Sequence, residues 1–155
     1  YKNTWWHGDY AEITENKGFI IHGRSDATLN SGGIRIGTAE LYQVVEEMEE
    51  IEECIAVEKI IIDDTQIILF IKLINQKKLN NNLINKINFR IKSLLSPKHL
   101  PKKIFSIKEI PKTKSGKIVE LTIKDIINNN KIDNIDSLVN PQSLKEFKNI
   151  AKKLT

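Results

Sequence analysis

Two apolar runs, at residues 55–62 and 67–74, constrain the fold more than any other feature of the sequence. Both are rich in isoleucine and other residues that favour strands, and the segment between them begins with the turn-forming residues Asp63, Asp64 and Thr65. β-Branched runs bounded by turn residues are typical of strands with substantial burial. We therefore expect two adjacent antiparallel strands at the centre of a sheet.

Apolar residues at helical spacing predict helices on both sides of this strand pair. The first stripe follows Thr38 and consists of Leu41, Val44, Val45 and Met48. The second stripe precedes Pro97 and consists of Leu83, Ile84, Ile87, Ile91, Leu94 and Leu95. Because proline has no amide hydrogen, the second helix should end before Pro97.

A third short strand is expected at 103–107, a helix over 119–127, and a terminal helix that starts near Pro141. The strands are too few for a doubly wound sheet. The sequence thus predicts an α+β fold, with a three-stranded, mainly antiparallel sheet flanked by helices.

The first part of the chain has a different organisation. Residues 10–14 and 19–22 are β-prone, and Gly18 between them suits a tight hairpin. Residues 23–33 are polar and contain three glycines, which is typical of a loop that can act as a pivot. We place a domain boundary at Asp26, which divides the chain into residues 1–25 and 26–155.

Composition and charge limit the classes of function that the chain can have. The formal net charge is +4, and the acidic residues cluster at 46–53 whereas lysines gather at 98–117. An anionic ligand near the lysine-rich region is one interpretation, and a solvated surface is the other. No run approaches the ~20 apolar residues of a membrane span, and no secretory signal is recognisable.

The cysteine and histidine content argues against an internal disulfide and against a zinc site. Cys54 has no partner for an internal disulfide, and we expect it in the core of a cytoplasmic protein. His7, His22 and His99 lack zinc-ligand spacing, so no metal site is expected in this chain. Because Met48 is the only methionine, Tyr1 is not expected to be a translation start, and we expect a piece of a longer polypeptide.

Chemistry-bearing residues form an ordered series of polar segments. Residues 111–118 read Pro-Lys-Thr-Lys-Ser-Gly-Lys-Ile and present Lys117 on a short polar turn, where a cation suits a phosphate or acyl phosphate. Upstream, residues 23–26 and 31–35 add two guanidinium groups and a glycine-rich backbone. Residues 6–9, Trp-His-Gly-Asp, place a carboxylate in a loop. This series suggests nucleotide chemistry.

Taken in order, these segments resemble the C-terminal third of adenylate-forming acyl-CoA synthetases. Within that superfamily they are most similar to the acetoacetyl-CoA synthetase subfamily, whose versions of the shared motifs resemble residues 6–9, 30–40 and 114–121. The tail at 134–141 also resembles that subfamily. The similarity covers nearly the whole chain, and the ordered series is far more specific than any one motif.

The resemblance implies a C-terminal fragment of an AMP-forming acid–thiol ligase. The full polypeptide would use ATP, CoA and Mg²⁺ to convert acetoacetate into acetoacetyl-CoA, AMP and pyrophosphate through an acyl-adenylate. The Mg²⁺ would be bound mainly through ATP and the large N-terminal domain, whose last hairpin would be residues 1–25. Residues 26–155 would be the mobile C-terminal domain, inactive alone. Acetyl-CoA or propionyl-CoA synthetase is the alternative, because no residue here is expected to touch the acyl group.

The resemblance also assigns roles to individual residues. Lys117 aligns with the catalytic cation of adenylation. Three residues align with nucleotide-binding positions, with Asp9 on the ribose hydroxyls: Asp9, Arg24 and Arg35. Asp26 aligns with the hinge about which the C-terminal domain rotates, and Gly33 with the glycine that lines the pantetheine tunnel for CoA. Glu40 belongs to the same motif, although it also suits a helix N-terminus on its own.

A second class of function is a basic module that binds RNA through its lysine-rich loops. Such modules usually interleave aromatic residues with the basic ones. Between Lys98 and Lys124 the only aromatic residue is Phe105. We therefore expect small-molecule substrates and the N-terminal domain as partners, and neither nucleic acid nor membrane.

Overall fold

The computed structural model describes residues 8–24, 28–62, 64–132 and 135–154. The strands, in chain order, are β1 (Asp9–Ile13), β2 (Phe19–Arg24), β3 (Leu29–Ser31), β4 (Ile34–Ile36), β5 (Ile51–Ile61), β6 (Asp64–Leu73) and β7 (Lys103–Ile107). The α-helices are α1 (Thr38–Glu46), α2 (Asn81–Leu94), α3 (Glu120–Ile127) and α4 (Leu144–Ala151). Short 3-10 turns lie at Ile74–Gln76, Pro97–His99, Ile135–Ser137 and Pro141–Ser143.

The central sheet has the strand order β5-β6-β7. β5 and β6 are antiparallel from Ile51↔Leu73 to Ile61↔Asp64, which confirms the predicted strand pair. β7 pairs with β6 in parallel, so the sheet is mixed. The direction of β7 follows from α2, because a helix that crosses the face of a sheet returns the chain parallel to the preceding strand.

Alternating side chains of the central strands build one core on each face of the sheet. On one face, α1 and α2 pack against Cys54, Ala56, Ile67, Leu69 and Ile71. On the other face, α3 and α4 pack against Ile55, Val57, Ile68 and Phe70. The second core includes a ring cluster in which the Phe70 centroid lies 4.8 Å from that of Phe147. Helices therefore cover both faces of β5 and β6, which fits the substantial burial that their β-branched runs predict.

The predicted helices form where the apolar stripes indicate. α2 begins after Asn80, whose side-chain oxygen accepts a hydrogen bond from the Leu83 amide at 2.9 Å. It ends at Leu94, before Pro97. The terminal helix α4 is preceded by the 3-10 turn that starts at Pro141.

A small hairpin, β3 and β4, occupies part of the segment for which the sequence indicates a polar loop. Leu29 is only 2% exposed and anchors this hairpin in the first core. Gly32 and Gly33 form its turn with φ values of +56° and +82°, a left-handed conformation that glycine adopts without strain. The loop prediction for residues 23–33 was wrong at 29–31, which form β3, since strands of three residues carry too little alternation to be recognised.

Cys54 lies in the first core and is fully buried, as expected from the sequence. Burial raises the pKa of its thiol, and the nearby Glu46 carboxylate adds to the shift. The thiol therefore stays protonated at neutral pH, and it is a packing group without the reactivity of a thiolate.

Side chains accept hydrogen bonds from backbone amides on the edge of β5 that pairs with no other strand of the central sheet. Its outward amides at Cys54, Ala56 and Ile60 donate to Glu46 Oε1 at 2.8 Å, Tyr42 Oη at 3.1 Å and Asn128 Oδ1 at 2.8 Å, respectively. Burial raises the pKa of Tyr42, and the Glu120 carboxylate, which accepts a hydrogen bond from the Tyr42 hydroxyl, raises it further. Since each of these amides is already paired, this edge presents few free donors to a strand from another chain.

Asn128→Ala should lower the free energy of unfolding of the chain by about 1–2 kcal/mol. Its amide group also donates to the Glu58 and Lys124 carbonyl oxygens, at 2.8 Å each, so the substitution breaks two hydrogen bonds to β5 and one to the last turn of α3. Urea denaturation measures the change. Asn130→Ala is the control, because its exposed amide makes one bond of 3.2 Å to Asp125. Equal stability of the two variants would contradict the role of Asn128.

Candidate functional site

Lys117 lies on a turn that is closed by its own hydrogen bonds. The backbone bridges Lys112 to Ile118, and the Thr113 amide donates to the Lys117 carbonyl at 2.9 Å. The Thr113 hydroxyl accepts from the Lys117 amide at 3.1 Å. Gly116 has a φ of +80°, which allows the chain to reverse direction. The Lys117 side chain is exposed, so the turn presents an ammonium group from an ordered backbone.

The lysines around this turn differ in how their charge is compensated. Lys112 forms an ion pair with Glu53 of β5, which ties the base of the turn to the sheet. Within the described residues, the exposed side chains of Lys114 and Lys117 form no ion pair. Lys117 can therefore offer its full charge to an anionic ligand.

Asp9 and Arg24 lie opposite one another in the β1–β2 hairpin. Their Cα positions are register partners at the open end of the two strands. Asp9 is half-buried at the start of β1. Asp9 and Arg24 come from separate sequence motifs, and both are predicted to bind the nucleotide. The strand register brings their backbones together.

Gly33 and Arg35 lie together on the β3–β4 hairpin. Arg35 is exposed on β4, opposite Asn30. A Cβ atom added to Gly33 would meet no heavy atom within 4 Å, so the backbone faces open space. At the neighbouring Gly32, such an atom would lie 3.0 Å from the Lys98 ammonium. The hairpin turn thus exposes bare backbone with cationic groups beside it, which suits a thin, anionic ligand chain.

Glu58 ties this hairpin to the sheet and to α3. The buried carboxylate accepts a hydrogen bond from the Asn30 amide and forms an ion pair of 2.6 Å with Lys124. The Thr65 hydroxyl donates to the Asn30 carbonyl from β6. No motif in the sequence indicates Glu58 as a structural residue, because its partners are distant along the chain.

The Lys117 turn and the β3–β4 hairpin are attached at different positions along β5. The turn is attached through Glu53 and the hairpin through Glu58. Five residues of extended strand separate these attachment points by about 17 Å. The predicted catalytic cation and the predicted CoA-binding glycine are therefore attached to the sheet at different positions along β5.

The other sequence predictions concern the hinge, the first turn of α1, metal binding and membrane spans. The hinge residue Asp26 and the residues Trp6 and His7 lie outside the described residues. Glu40 lies in the first turn of α1, with one carboxylate oxygen 3.7 Å from His99 Nε2. Across the described ranges, no cluster of three metal-ligating side chains occurs. None of the described helices is long and apolar enough to cross a membrane.

The fold defines a class of protein. No family model matches the sequence. The structure is similar to that of the anthranilate CoA ligase AuaEII in complex with anthranoyl-AMP, with a TM-score of 0.67 and 25% identity over 72% of this chain and 22% of that one. The α+β arrangement is that of the C-terminal domain of acyl-CoA synthetases.

Within this class, the chain is homologous to acetoacetyl-CoA synthetases. It is 46% identical to acetoacetyl-coenzyme A synthetase of Rhizobium meliloti (strain 1021) over 95% of this chain and 23% of that protein. The structure of acetoacetyl-CoA synthetase from Streptomyces lividans matches it with a TM-score of 0.86 and 32% identity, over 97% of this chain and 23% of that one. The chain thus spans about a quarter of the length of these relatives.

Proposed function

We propose that this chain is the mobile C-terminal part of an ATP-dependent acetoacetyl-CoA synthetase. The observation that carries the proposal is the exposed Lys117 ammonium on an ordered turn, within a fold shared with acyl-CoA synthetases. The choice of acetoacetate as the acid is supported by the 46% identity to the Rhizobium meliloti enzyme. The full polypeptide would form acetoacetyl-CoA, AMP and pyrophosphate, and the chain alone would be inactive.

Lys117 would act in the first half-reaction. When a carboxylate attacks the α-phosphorus of ATP, negative charge grows on the phosphate and bridging oxygens. A positioned cation stabilises that transition state more than the ground state. The exposure of Lys117 allows it to reach a nucleotide that is held elsewhere in the polypeptide.

The other candidate residues would bind and orient the substrates. Asp9 is suited to the ribose hydroxyls, because an ionised carboxylate only accepts hydrogen bonds. Arg24 and Arg35 would contact the nucleotide, since a guanidinium offers a planar pair of donors to phosphate or ribose oxygens. Gly33 would line the passage for the pantetheine of CoA, and its open backbone suits that task. Mg²⁺ would be bound through ATP and the N-terminal domain.

The division of the chain at Asp26 is part of the same proposal. The β1–β2 hairpin exposes large apolar side chains, namely Ile13, Phe19, Ile20 and Ile21. Such a surface is costly in water and suits packing against another domain. Residues 1–25 would therefore end the N-terminal domain, and residues 26–155 would rotate about Asp26 between the two half-reactions. We also propose a cytoplasmic location, which the buried free thiol of Cys54 fits.

The RNA-binding alternative receives no support from the described residues. Phe105, the aromatic residue of the lysine-rich region, stacks on Phe70 with ring centroids 5.8 Å apart. It belongs to the second core and is occupied by packing. A stacking platform for bases is therefore missing from this part of the described chain.

The experiment that tests the proposal uses the longer polypeptide that contains this chain. Pyrophosphate exchange and thioester formation are measured with acetoacetate, acetate and propionate. We expect kcat/KM to be highest for acetoacetate. A preference for acetate or propionate would show that acetoacetate is the wrong substrate but would still support an acyl-CoA synthetase. Absence of exchange with every acid would overturn the proposed function.

A further inference from the structure

The segment that follows α3 forms a short strand-like pairing with the chain that enters the Lys117 turn. Thr113 and Leu138 form an antiparallel bridge. The Val139 amide donates to the Lys112 carbonyl at 3.0 Å, and the Lys114 amide donates to the Ser137 carbonyl at 3.2 Å. The first half of the turn is thus held from outside by the tail.

Asn140 extends this pairing with its side chain. Its Oδ1 accepts a hydrogen bond from the Lys112 amide at 3.0 Å, and its Nδ2 donates to the Ile110 carbonyl at 3.1 Å. Nδ2 also lies 3.3 Å from Glu109 Oε2. One half-buried amide group therefore binds the backbone on both sides of Pro111, as a neighbouring strand would.

The tail is itself anchored in the second core. Leu138 is 6% exposed, and the turn at Pro141–Ser143 leads directly into α4. In α4, Leu144 and Phe147 are buried beneath the sheet. Asn140 stands between these two anchors, so its position is fixed by packing on either side.

The two ends of the Lys117 turn are held in different ways. The internal bonds of Thr113 fix the shape of the turn, and Ile118 packs against the second core at its exit. The direction in which the turn leaves the domain depends on residues 110–112. Those residues are bound by Asn140, by the Val139 amide and by the ion pair between Lys112 and Glu53.

We infer that Asn140 is a positioning residue for Lys117, and that the tail aims the catalytic turn. This inference rests on the proposed function. A cation stabilises a transition state only when it is held close to the developing charge, and a displacement of about 1 Å can cost on the order of 10² in rate. Loss of the Asn140 amide would leave the turn intact but let it tilt, so the cation would meet the phosphate less often.

The test is Asn140→Ala in the full-length enzyme. We expect kcat for pyrophosphate exchange to fall by about 10- to 100-fold, while KM for ATP changes little and thioester formation from supplied acyl-adenylate is retained. Asn149→Ala is the matched control, because Asn149 is an exposed asparagine of α4 without a described hydrogen bond. It should behave as wild type in both half-reactions.

Two further variants distinguish positioning from a loss of folding. Asn140→Asp keeps an oxygen acceptor for the Lys112 amide but loses the donor to Ile110 and places a second carboxylate beside Glu109, so its exchange rate should also fall below that of wild type. On a Lys117→Ala background, Asn140→Ala should cause no further loss, since its effect passes through Lys117. Melting temperatures of all variants show whether the domain remains folded.

Three results would overturn the inference. They are wild-type exchange in Asn140→Ala, an equal loss in both half-reactions, and a full additional loss on the Lys117→Ala background. Wild-type protein without exchange activity for any acid would instead overturn the proposed function, so the two failures are distinguishable.

Discussion

Lys117→Ala should lower pyrophosphate exchange by the full-length enzyme by a factor on the order of 10² to 10³. The ammonium is exposed at the tip of an ordered turn, and it has no ion-pair partner within the described residues that could compensate its charge. Its removal takes away stabilisation that is needed only while charge grows on the transferring phosphate. Thioester formation from supplied acyl-adenylate should persist, because that step does not create the same charge.

Lys114→Ala is the appropriate control for the Lys117 variant. It removes a second exposed lysine from the same turn and leaves the hydrogen bonds of Thr113 in place. We expect its exchange rate to stay within a few-fold of wild type. Loss of both half-reactions to the same extent in Lys117→Ala would contradict a role that is confined to adenylation.

Gly33→Leu should produce the opposite pattern, with thioester formation reduced by roughly 10² and pyrophosphate exchange retained. The backbone at Gly33 has a φ of +82°, and nothing within 4 Å would contact an added Cβ. The leucine side chain would therefore project into the open space that we assign to pantetheine. Single-turnover thioester formation from acyl-adenylate, measured over a range of CoA concentrations, reports the effect.

Gly33→Ala separates steric obstruction from backbone strain. Both variants place a Cβ in the left-handed region, at a cost of about 1–2 kcal/mol, but only leucine adds length. Thioester formation should thus be much slower in the leucine variant than in the alanine variant. If both lose activity equally, strain in the hairpin explains the loss, and the assignment of Gly33 to the CoA passage fails.

The sequence predicts the parts of this fold that depend on local periodicity. The buried strands β5 and β6 and the stripe of α2 are recognisable because long apolar runs and helical spacing leave few alternatives. The parallel direction of β7 is harder to predict from the sequence, since it depends on the path of α2 across the sheet. The β3–β4 hairpin is missed because one buried leucine in a polar segment does not indicate a strand.

In the candidate site, too, features that depend on neighbouring residues can be predicted, whereas contacts between residues distant along the chain cannot. The residues of the predicted site come from short motifs that are visible in the sequence, such as the turn that carries Lys117. The contacts that hold these motifs are made by residues far along the chain. Glu58 binds the Asn30 amide, and Asn140 binds the backbone at 110 and 112. Neither role can be read without the three-dimensional arrangement of the strands and the tail.

The different attachment points of the Lys117 turn and the Gly33 hairpin on one strand have a kinetic consequence. A hydrogen-bonded sheet keeps the two attachment points at a fixed separation, so the Lys117 turn and the Gly33 hairpin cannot occupy the same place at the same time. The two half-reactions of the proposed enzyme would then take place in turn, each in its own orientation of the domain, with Lys117 at the nucleotide in one and Gly33 beside CoA in the other.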